Sequence, residues 1–259
     1  MFCWLYENLI IILFGLILNI KKTAIYLCLL IAPLSYVTGS SYDFSLQDQE
    51  LKNHLYQAIK KNHHTVLSYY DSRKELFGVI HLEKDQQGEP YLLDIYCLER
   101  YNRSAGVGHR KVPNHTIVNT EHVWPQSRFS SSYPRRTQKT DLHHLYPTNS
   151  KANSTRGNLE FGLSLNSQPL DNCEASQTTG RVFTPPYEFR GNIARAIFYF
   201  SVRYRISLSV NEEAILREWH QQDPVDEEER LRNAMIEILQ GNRNPFIDHE
   251  FLVDHISKF

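Results

Sequence analysis

The chain has 259 residues and a formal net charge of −1 at pH 7, which excludes a protein coated evenly in positive charge. Its 41% hydrophobic and 22% charged residues are ordinary for a globular domain. The charges are nevertheless unevenly placed: residues 101–158 hold nine Lys and Arg against two acids, whereas residues 211–259 hold twelve acids against five bases. A basic middle beside an acidic end suits a protein that attracts a polyanion on one face.

The N-terminal residues are typical of a secretory signal peptide. Lys21 and Lys22 precede an apolar run over 24–32, and small and polar residues follow up to Ser40. We therefore predict a leader over 1–40, with the signal peptide at 20–40, and a single domain over 41–259 in the periplasm or outside the cell. A second apolar run, at 9–18, is too short to span a bilayer comfortably. Either residues 1–19 are a gene-start error or the leader is long and anchors the chain; we favour the first, and expect no stable membrane association after cleavage.

Two cysteines, Cys97 and Cys173, remain once the leader is removed. An oxidising compartment permits one disulfide between them. Two buried free thiols are the alternative, and both stay open at this point.

Hydrophobic spacing predicts the elements of the first half. Leu51, Leu55 and Ile59 recur every four residues after Ser45, a candidate cap, and predict a helix over 46–62. Two β-prone runs, 76–82 and 91–98, flank a polar turn at 85–88 and predict a hairpin. Irregular basic chain follows over 100–116. Residues 117–124 then predict a strand that Pro125 ends.

Helices dominate the predicted second half. Pro147 and Thr148 open a short helix with Thr148 as N-cap and Gly157 at its end. Further helices are predicted around Ile193–Tyr204, over 214–220, and from Asp226 to Gly241. At helical spacing, the aromatic run of the first of these is core rather than a base-stacking platform (Phe198, Tyr199, Phe200 and Tyr204). Strands first and helices later give an α+β fold.

Residues 119–158 concentrate groups that phosphodiester cleavage requires. The reaction needs an activated water, neutralised phosphate charge and a stabilised leaving oxygen. Glu121 and Asn153 offer the oxygen ligands that Mg²⁺ prefers, and His122 can accept a proton near neutral pH. Four arginines can clamp phosphate oxygens: Arg128, Arg135, Arg136 and Arg156.

A zinc site is the rival interpretation of the histidines. His143 and His144 are adjacent and could join His122. Adjacent residues on regular backbone seldom point at one metal, and no H-x-x-x-H or C-x-x-C spacing is present. We therefore expect no structural zinc, with one of the adjacent pair packed under the site and the other facing solvent.

Residues 119–129 (NTEHVWPQSRF) resemble the signature of the bacterial endonuclease I family, which comprises secreted or periplasmic nucleases of the ββα-metal (His-Me finger) type. Residues 141–148 (DLHHLYPT) and 153–158 (NSTRGN) resemble its second half in order and spacing. Further matches continue to residues 240–248 (QGNRNPFID), so the resemblance covers most of the mature chain.

The resemblance implies a role for each matching residue. His122 corresponds to the general base, while Glu121 and Asn153 correspond to the ligands of one divalent ion. That ion is usually Mg²⁺, which Mn²⁺ or Ca²⁺ can replace structurally. The phosphate-clamping arginine is Arg128, Arg135 or Arg136. Substrate contacts are further expected from Arg156 and Lys151, although Arg156 could equally pair with an acid, and Asp141 is expected to orient a histidine.

The implied fold is a ββα-metal core between an N-terminal helix and hairpin and a helical C-terminal half. The core would consist of strand 117–124, a connecting strand near 142–146 and the helix carrying Asn153. The implied activity is sequence-nonspecific cleavage of DNA by a monomer, with RNA as a further substrate. Three alternatives remain: an RNA-preferring nuclease, a non-catalytic nucleic-acid-binding protein on this fold, and a small-molecule phosphoesterase or zinc hydrolase.

Overall fold

The computed structural model describes residues 42–163 and 166–259, so the leader predicted at 1–40 lies outside the described residues. Residues Asp43–Phe259 form one compact unit by their mutual contacts. Helices and strands both occur in it, in agreement with the α+β prediction. Within the described ranges, no helix combines the length and apolarity needed to cross a bilayer.

Helix α1 (Asp48–Asn62) confirms the first predicted helix, because Leu51, Leu55 and Ile59 are buried on one face. The predicted cap is wrong. The helix begins after Gln47, whose side chain makes no capping bond. Ser45 instead donates its hydroxyl to the Asp43 carboxylate at 2.6 Å.

The first strand of the predicted hairpin is helical instead. Helix α2 (Tyr69–Glu75) starts at the N-cap Ser68, which accepts a bond from the Asp71 amide, and continues through a π-helical turn at Leu76–Ile80. Buried Leu76, Phe77 and Ile80 recur at helical spacing and pack into the main core. The turn at 85–88 was predicted correctly, since it joins β1 (Glu83–Lys84) antiparallel to β2 (Pro90–Leu93); β3 (Arg100–Tyr101) completes this sheet.

The centre of the fold is an antiparallel strand pair followed by a helix. Strand β4 (Val118–His122) pairs with β5 (Leu145–Asn149) over five residue pairs, from Val118 opposite Asn149 to His122 opposite Leu145. Helix α3 (Arg135–Lys139) lies in the connection between the strands, and α4 (Ser150–Arg156) follows β5 directly. This agrees with the predicted strand at 117–124 and places the second strand slightly later than 142–146.

The cap of α4 differs from the prediction by one residue. Pro147 and Thr148 remain in β5, and Asn149 is the N-cap, accepting bonds from the amides of Lys151 and Ala152. The Thr148 hydroxyl is used elsewhere, as a donor to buried Asp94 at 2.9 Å. Gly157 ends the helix with a positive φ of 51°, as predicted.

The second half adds a four-stranded sheet and a helical layer. The sheet comprises β6 (Glu160–Phe161), β7 (Gln168–Leu170), β8 (Cys173–Thr178) and β9 (Val182–Thr184), in the spatial order β6-β9-β8-β7. The helices are α5 (Arg190–Tyr204), α6 (Val210–Gln222), α7 (Glu227–Gln240) and α8 (Pro245–Asp248). The Asp226 cap and the Gly241 terminus of α7 were both predicted.

Helix α5 is buried almost all round, and its aromatic residues belong to the core as predicted, with 0% exposure (Phe198, Tyr199, Phe200 and Tyr204). Between the two halves, a disulfide links Cys97 to Cys173 across 76 residues of sequence. The loop that it closes contains β4, β5 and α4.

Candidate active site

A cleft of about 440 Å³ opens beside β4 and the side of α4 that carries Asn153. It contains four of the polar side chains singled out in the sequence, together with residues of the turn after β4. Its lining includes Tyr69, Asn119, Thr120, Glu121, His122, Gln126, Ser127, Asn153, Ser154, Arg156 and Asn158. One concave surface therefore carries the predicted metal ligands and the predicted base.

Glu121 is a buried carboxylate held in a fixed orientation. Its side chain is 1% exposed, and Oε1 accepts bonds from the Tyr96 hydroxyl and from Arg156 Nη1, both at 2.9 Å. Burial raises the pKa of Glu121, and the Arg156 charge opposes that rise. Both of these bonds are made by Oε1, and Oε2 takes part in neither of them.

Asn153 presents an amide oxygen in the same cleft. Its Nδ2 donates to the backbone carbonyl of Thr120 at 3.1 Å, which ties α4 to β4 next to Glu121. The donor end of the amide is thereby occupied, and the acceptor end is left for a cation. A carboxylate and an amide oxygen fit Mg²⁺, which takes oxygen ligands and keeps several waters.

The described residues contain no group of three or more His, Cys, Asp or Glu side chains arranged to hold a metal ion. The pair of Glu121 and Asn153 has only one such side chain, because an amide is not among the four types counted. The donor set on β4 and α4 therefore suits a hard divalent ion with a mostly aqueous coordination shell rather than a zinc cluster.

His122 is positioned as a proton acceptor. Its Nε2 donates to the Lys139 carbonyl at 3.1 Å, so the proton of the neutral ring is on Nε2 and the lone pair is on Nδ1. Burial lowers the pKa of His122 well below its ordinary value, and nearby His144 lowers it further. The side chain of Gln126 approaches Nδ1, with its amide nitrogen 3.5 Å away.

The three candidate clamp arginines differ in their partners. Arg135 is exposed and contacts the cleft residue Gln126, at 3.2 Å to its carbonyl and 3.3 Å to Oε1. Arg128 forms an ion pair with buried Glu212 at 2.8 Å, and Arg136 donates to the carbonyls of Val66 and Leu67. Of the three, Arg135 is therefore the arginine whose partner lines the cleft.

Arg156 takes the second of its two predicted alternatives, pairing with an acid. Besides Glu121, its guanidinium donates to the backbone carbonyls of His122 at 3.0 Å and Val123 at 2.5 Å, and it is 1% exposed. A guanidinium enclosed in this way supports Glu121 rather than the substrate. Lys151 is exposed on a different side of α4 and does not line the cleft.

The prediction that one of the adjacent histidines faces solvent is wrong, and Asp141 has more partners than predicted. His143 and His144 are both fully buried, so neither faces solvent. Their Nε2 atoms contact the carbonyls of Asn242 and Gln138. The Asp141 carboxylate lies 3.8 Å from Nδ1 of the buried His63, so the histidine ring that it faces is His63 and not His122, and its contact with His143 is to the backbone amide. The carboxylate also accepts bonds from two tyrosine hydroxyls of α5 and from a glutamine of α7 (Tyr199, Tyr204 and Gln240).

Two tyrosines, one lining the cleft and one buried behind Glu121, escaped the sequence analysis because their positions depend on long-range contacts. Tyr69 belongs to α2, whose position was not predicted, and its ring lies 6.0 Å from that of His122. Tyr96 reaches Glu121 from the loop after β2. The cap motif Ser68–Asp71 is the local signal that could have revealed α2.

The buried histidine pair predicts acid sensitivity of the fold. Burial lowers the pKa of His143 to about 3 and that of His144 to about 4. Because these values lie below the ordinary pKa, the unfolded state binds more protons, and the free energy of unfolding falls as pH decreases from about 6.5 towards 4. We expect up to about 1.4 kcal/mol per pH unit from each histidine, measured by urea unfolding.

Asp94 supplies the control, because its effect has the opposite sign. Burial raises its pKa to about 6, so the folded state binds the extra proton and gains stability as pH falls through that range. The variant Asp94→Asn should therefore make the loss of stability between pH 6 and 4 steeper. An Asp94→Asn variant whose stability does not change over this range would contradict the assignment of neutral buried histidines.

Comparison with known proteins identifies relatives of this chain. The family model described as Endonuclease I matches residues 47–251. An extracellular ribonuclease of Bacillus subtilis (strain 168) is 32% identical over 227 residues, covering 80% of this chain and 73% of that protein. An extracellular deoxyribonuclease of Aeromonas hydrophila is 33% identical over 114 residues, covering 42% of this chain and 49% of that protein. An endonuclease-1 of Buchnera aphidicola subsp. Acyrthosiphon pisum (strain APS) is 33% identical over 111 residues, covering 42% and 44%. The matched region thus spans about half the length of the last two.

Proposed function

The chain belongs to the endonuclease I family, a family of nucleases, and from that premise we propose that it is a metal-dependent endonuclease that hydrolyses DNA and RNA with little sequence preference. The observation that carries the proposal is the placement of Glu121, His122 and Asn153 in one cleft. Strands β4 and β5 with helix α4 would then be the ββα-metal core. The similarity to an extracellular ribonuclease and to an extracellular deoxyribonuclease supports activity on both nucleic acids.

In the proposed mechanism, His122 activates water through Nδ1. The Lys139 carbonyl holds the proton on Nε2 and fixes the ring, while the lowered pKa keeps the ring neutral and able to accept a proton. Glu121 and Asn153 would hold the ion, which supplies a positive charge that polarises the phosphate and stabilises the departing oxygen. Arg135 turns from Gln126 to the phosphate and neutralises part of its charge.

Low sequence preference is expected from the chemistry of the lining. The candidate catalytic groups act on the phosphodiester, which looks alike in every sequence. Neutralising phosphates releases counterions, so cleavage should decline as salt increases.

The proposal is tested by digestion of supercoiled plasmid and of a structured RNA with purified protein, in Mg²⁺ and in EDTA. Nicking and degradation that need the metal are the expected result. Folded protein that binds nucleic acid in Mg²⁺ without cutting it would favour the alternative of a non-catalytic binding protein.

The metal ligands are tested by the dependence of rate on Mg²⁺ concentration. Glu121→Gln removes the charge and keeps the shape, and Asn153→Ala removes the amide oxygen. Each variant should need at least about tenfold more Mg²⁺ for half-maximal rate, since it loses one of two protein ligands. Ser154→Ala, at a neighbouring cleft position, is the control and should follow the wild type. If the Mg²⁺ dependence of a variant is unchanged, the residue replaced in that variant is not a ligand of the ion.

The clamp assignment is tested by comparing two arginines. Arg135→Ala should lower kcat/KM by about 10²-fold, because a charge-assisted contact to the transition-state phosphate is lost. Arg128→Ala should lower it less and should instead reduce thermal stability, since Glu212 loses its partner. The reverse pattern would assign the clamp to Arg128.

We further propose a periplasmic or secreted location and a monomeric state. The extracellular and periplasmic relatives support the location. Sedimentation of the purified protein tests the state, and fractionation of producing cells tests the location.

A further inference from the structure

The lining of the cleft next to His122 includes a tyrosine. Tyr69 lines the cleft, and its ring centroid lies 6.0 Å from that of His122 with 30° between the ring planes. Tyr70 follows it on α2 and is 63% exposed. We call these two residues the aromatic wall.

The aromatic wall is not part of the hydrophobic core. Tyr69 is half-buried and Tyr70 exposed, while the buried residue of α2 is Ser72. The π-helical turn that continues the helix anchors it to the core, because Leu76 and Phe77 of that turn are buried. Tyr69 thus presents a half-buried ring beside His122, and Tyr70 presents an exposed ring next to it on α2, outside the cleft lining.

Three cations surround the wall. Lys139 Nζ lies 3.9 Å from the Tyr69 ring centroid, the Arg73 guanidinium carbon 5.7 Å from it, and Lys74 Nζ 5.6 Å from the Tyr70 centroid. Lys139 also fixes the base, since its carbonyl accepts the bond from His122. Aromatic rings interleaved with cations are the arrangement that binds single-stranded nucleic acids, in which bases stack on the rings and phosphates meet the charges.

Resting on the proposed function, we propose that Tyr69 of the aromatic wall stacks on an unpaired nucleobase next to the scissile phosphate. The base displaces Lys139 Nζ from the face of the Tyr69 ring, where it lies 3.9 Å from the centroid, and Lys139 then meets the neighbouring phosphate. The base contact makes single-stranded RNA and DNA better substrates than duplexes. In a duplex, both faces of each base are stacked on neighbours, and exposing one costs unstacking and unpairing energy. The wall would therefore select the strandedness of the substrate without selecting its sequence, because every base has a π-face.

The experiment measures kcat and KM of the full-length protein on one oligonucleotide sequence as single strand and as duplex, in DNA and in RNA. Tyr69→Ala should lower kcat/KM on single strands by about 5- to 100-fold, mainly through KM, and leave the duplex rate nearly unchanged. Tyr69→Phe keeps the ring and should retain the preference, and Tyr70→Ala should reduce it less. Tyr187→Ala is the matched control, since Tyr187 is 53% exposed and lies beside Arg190 but does not line the cleft.

An abasic scan locates the contact independently of any variant. Single strands carrying one abasic nucleotide at successive positions are digested, and product lengths report which linkages are spared. The wild type should leave uncut the linkage at one fixed distance, counted in nucleotides, from the abasic position. Tyr69→Ala should cut that linkage like the others.

Several results would overturn the inference. An equal loss on single strands and duplexes would mean that Tyr69 only supports His122 and Lys139. An unchanged single-strand rate would remove Tyr69 from the substrate contacts, and a loss confined to RNA would assign it to the ribose hydroxyl. Absence of cleavage by wild type on every substrate is a separate outcome, which would refute the proposed function itself.

Discussion

Replacement of His122 by alanine is expected to lower kcat by about 10²- to 10⁴-fold at saturating Mg²⁺, while nucleic-acid binding persists. The expected size is that of a lost general base. The ring is the only part removed, and the phosphate and metal contacts proposed for Arg135, Glu121 and Asn153 are left in place. Single-turnover cleavage and a binding assay in Ca²⁺ measure the two effects separately.

Two controls make the histidine result specific. His115→Ala removes an exposed histidine outside the cleft and should leave the rate unchanged. Added imidazole should restore part of the activity of His122→Ala by occupying the vacated space and accepting the proton. Retained turnover in folded His122→Ala would refute the assignment of the base.

Replacement of Arg156 by methionine is expected to lower the free energy of unfolding by about 3 to 5 kcal/mol, because it leaves the buried Glu121 carboxylate without its counter-charge. Two backbone carbonyls of the strand end, those of His122 and Val123, lose their donor at the same time. Urea unfolding at neutral pH with the disulfide intact gives the measurement.

The matched control is an exposed ion pair of the same chemistry. Arg103 and Glu89 have side chains 69% and 54% exposed, so Arg103→Met should cost at most about 1 kcal/mol. The double variant Glu121→Gln with Arg156→Met buries no unpaired charge and should recover part of the loss. If Arg156→Met is no more destabilising than Arg103→Met, the buried pair does not support the fold.

Local sequence patterns predicted those helices whose ends are set by capping residues. The Asp226 cap and the Gly241 terminus bound α7 because each satisfies backbone groups of that helix by itself. The strand predicted at 76–82 was wrong because the conformation of these residues depends on contacts outside the run. Its apolar, β-branched residues suit a strand, and only the upstream cap at Ser68 and the burial of Leu76, Phe77 and Ile80 make it helical.

The candidate site also divides into features that the local sequence predicts and features that depend on distant contacts. Side-chain chemistry first singled out Glu121, His122 and Asn153, the resemblance gave them roles, and the structure places all three in the lining of one cleft. The partner of a charged residue was beyond reach, because ion pairs join distant segments. Arg156 looked available to a phosphate until Glu121 was found beside it, 35 residues earlier in the chain. Asp141 likewise serves hydroxyl groups that lie about sixty residues further along.

The disulfide between Cys97 and Cys173 has a consequence for proteolysis. Because β4, β5 and α4 all lie between the two cysteines, a protease that cuts one peptide bond anywhere in that interval opens the backbone without releasing a fragment. The piece carrying Glu121 and His122 and the piece carrying Asn153 stay joined in one covalent molecule, free to re-form the strand pairing that holds them together. Nicked protein should therefore migrate as a single band on a non-reducing gel and separate into two only after a thiol is added.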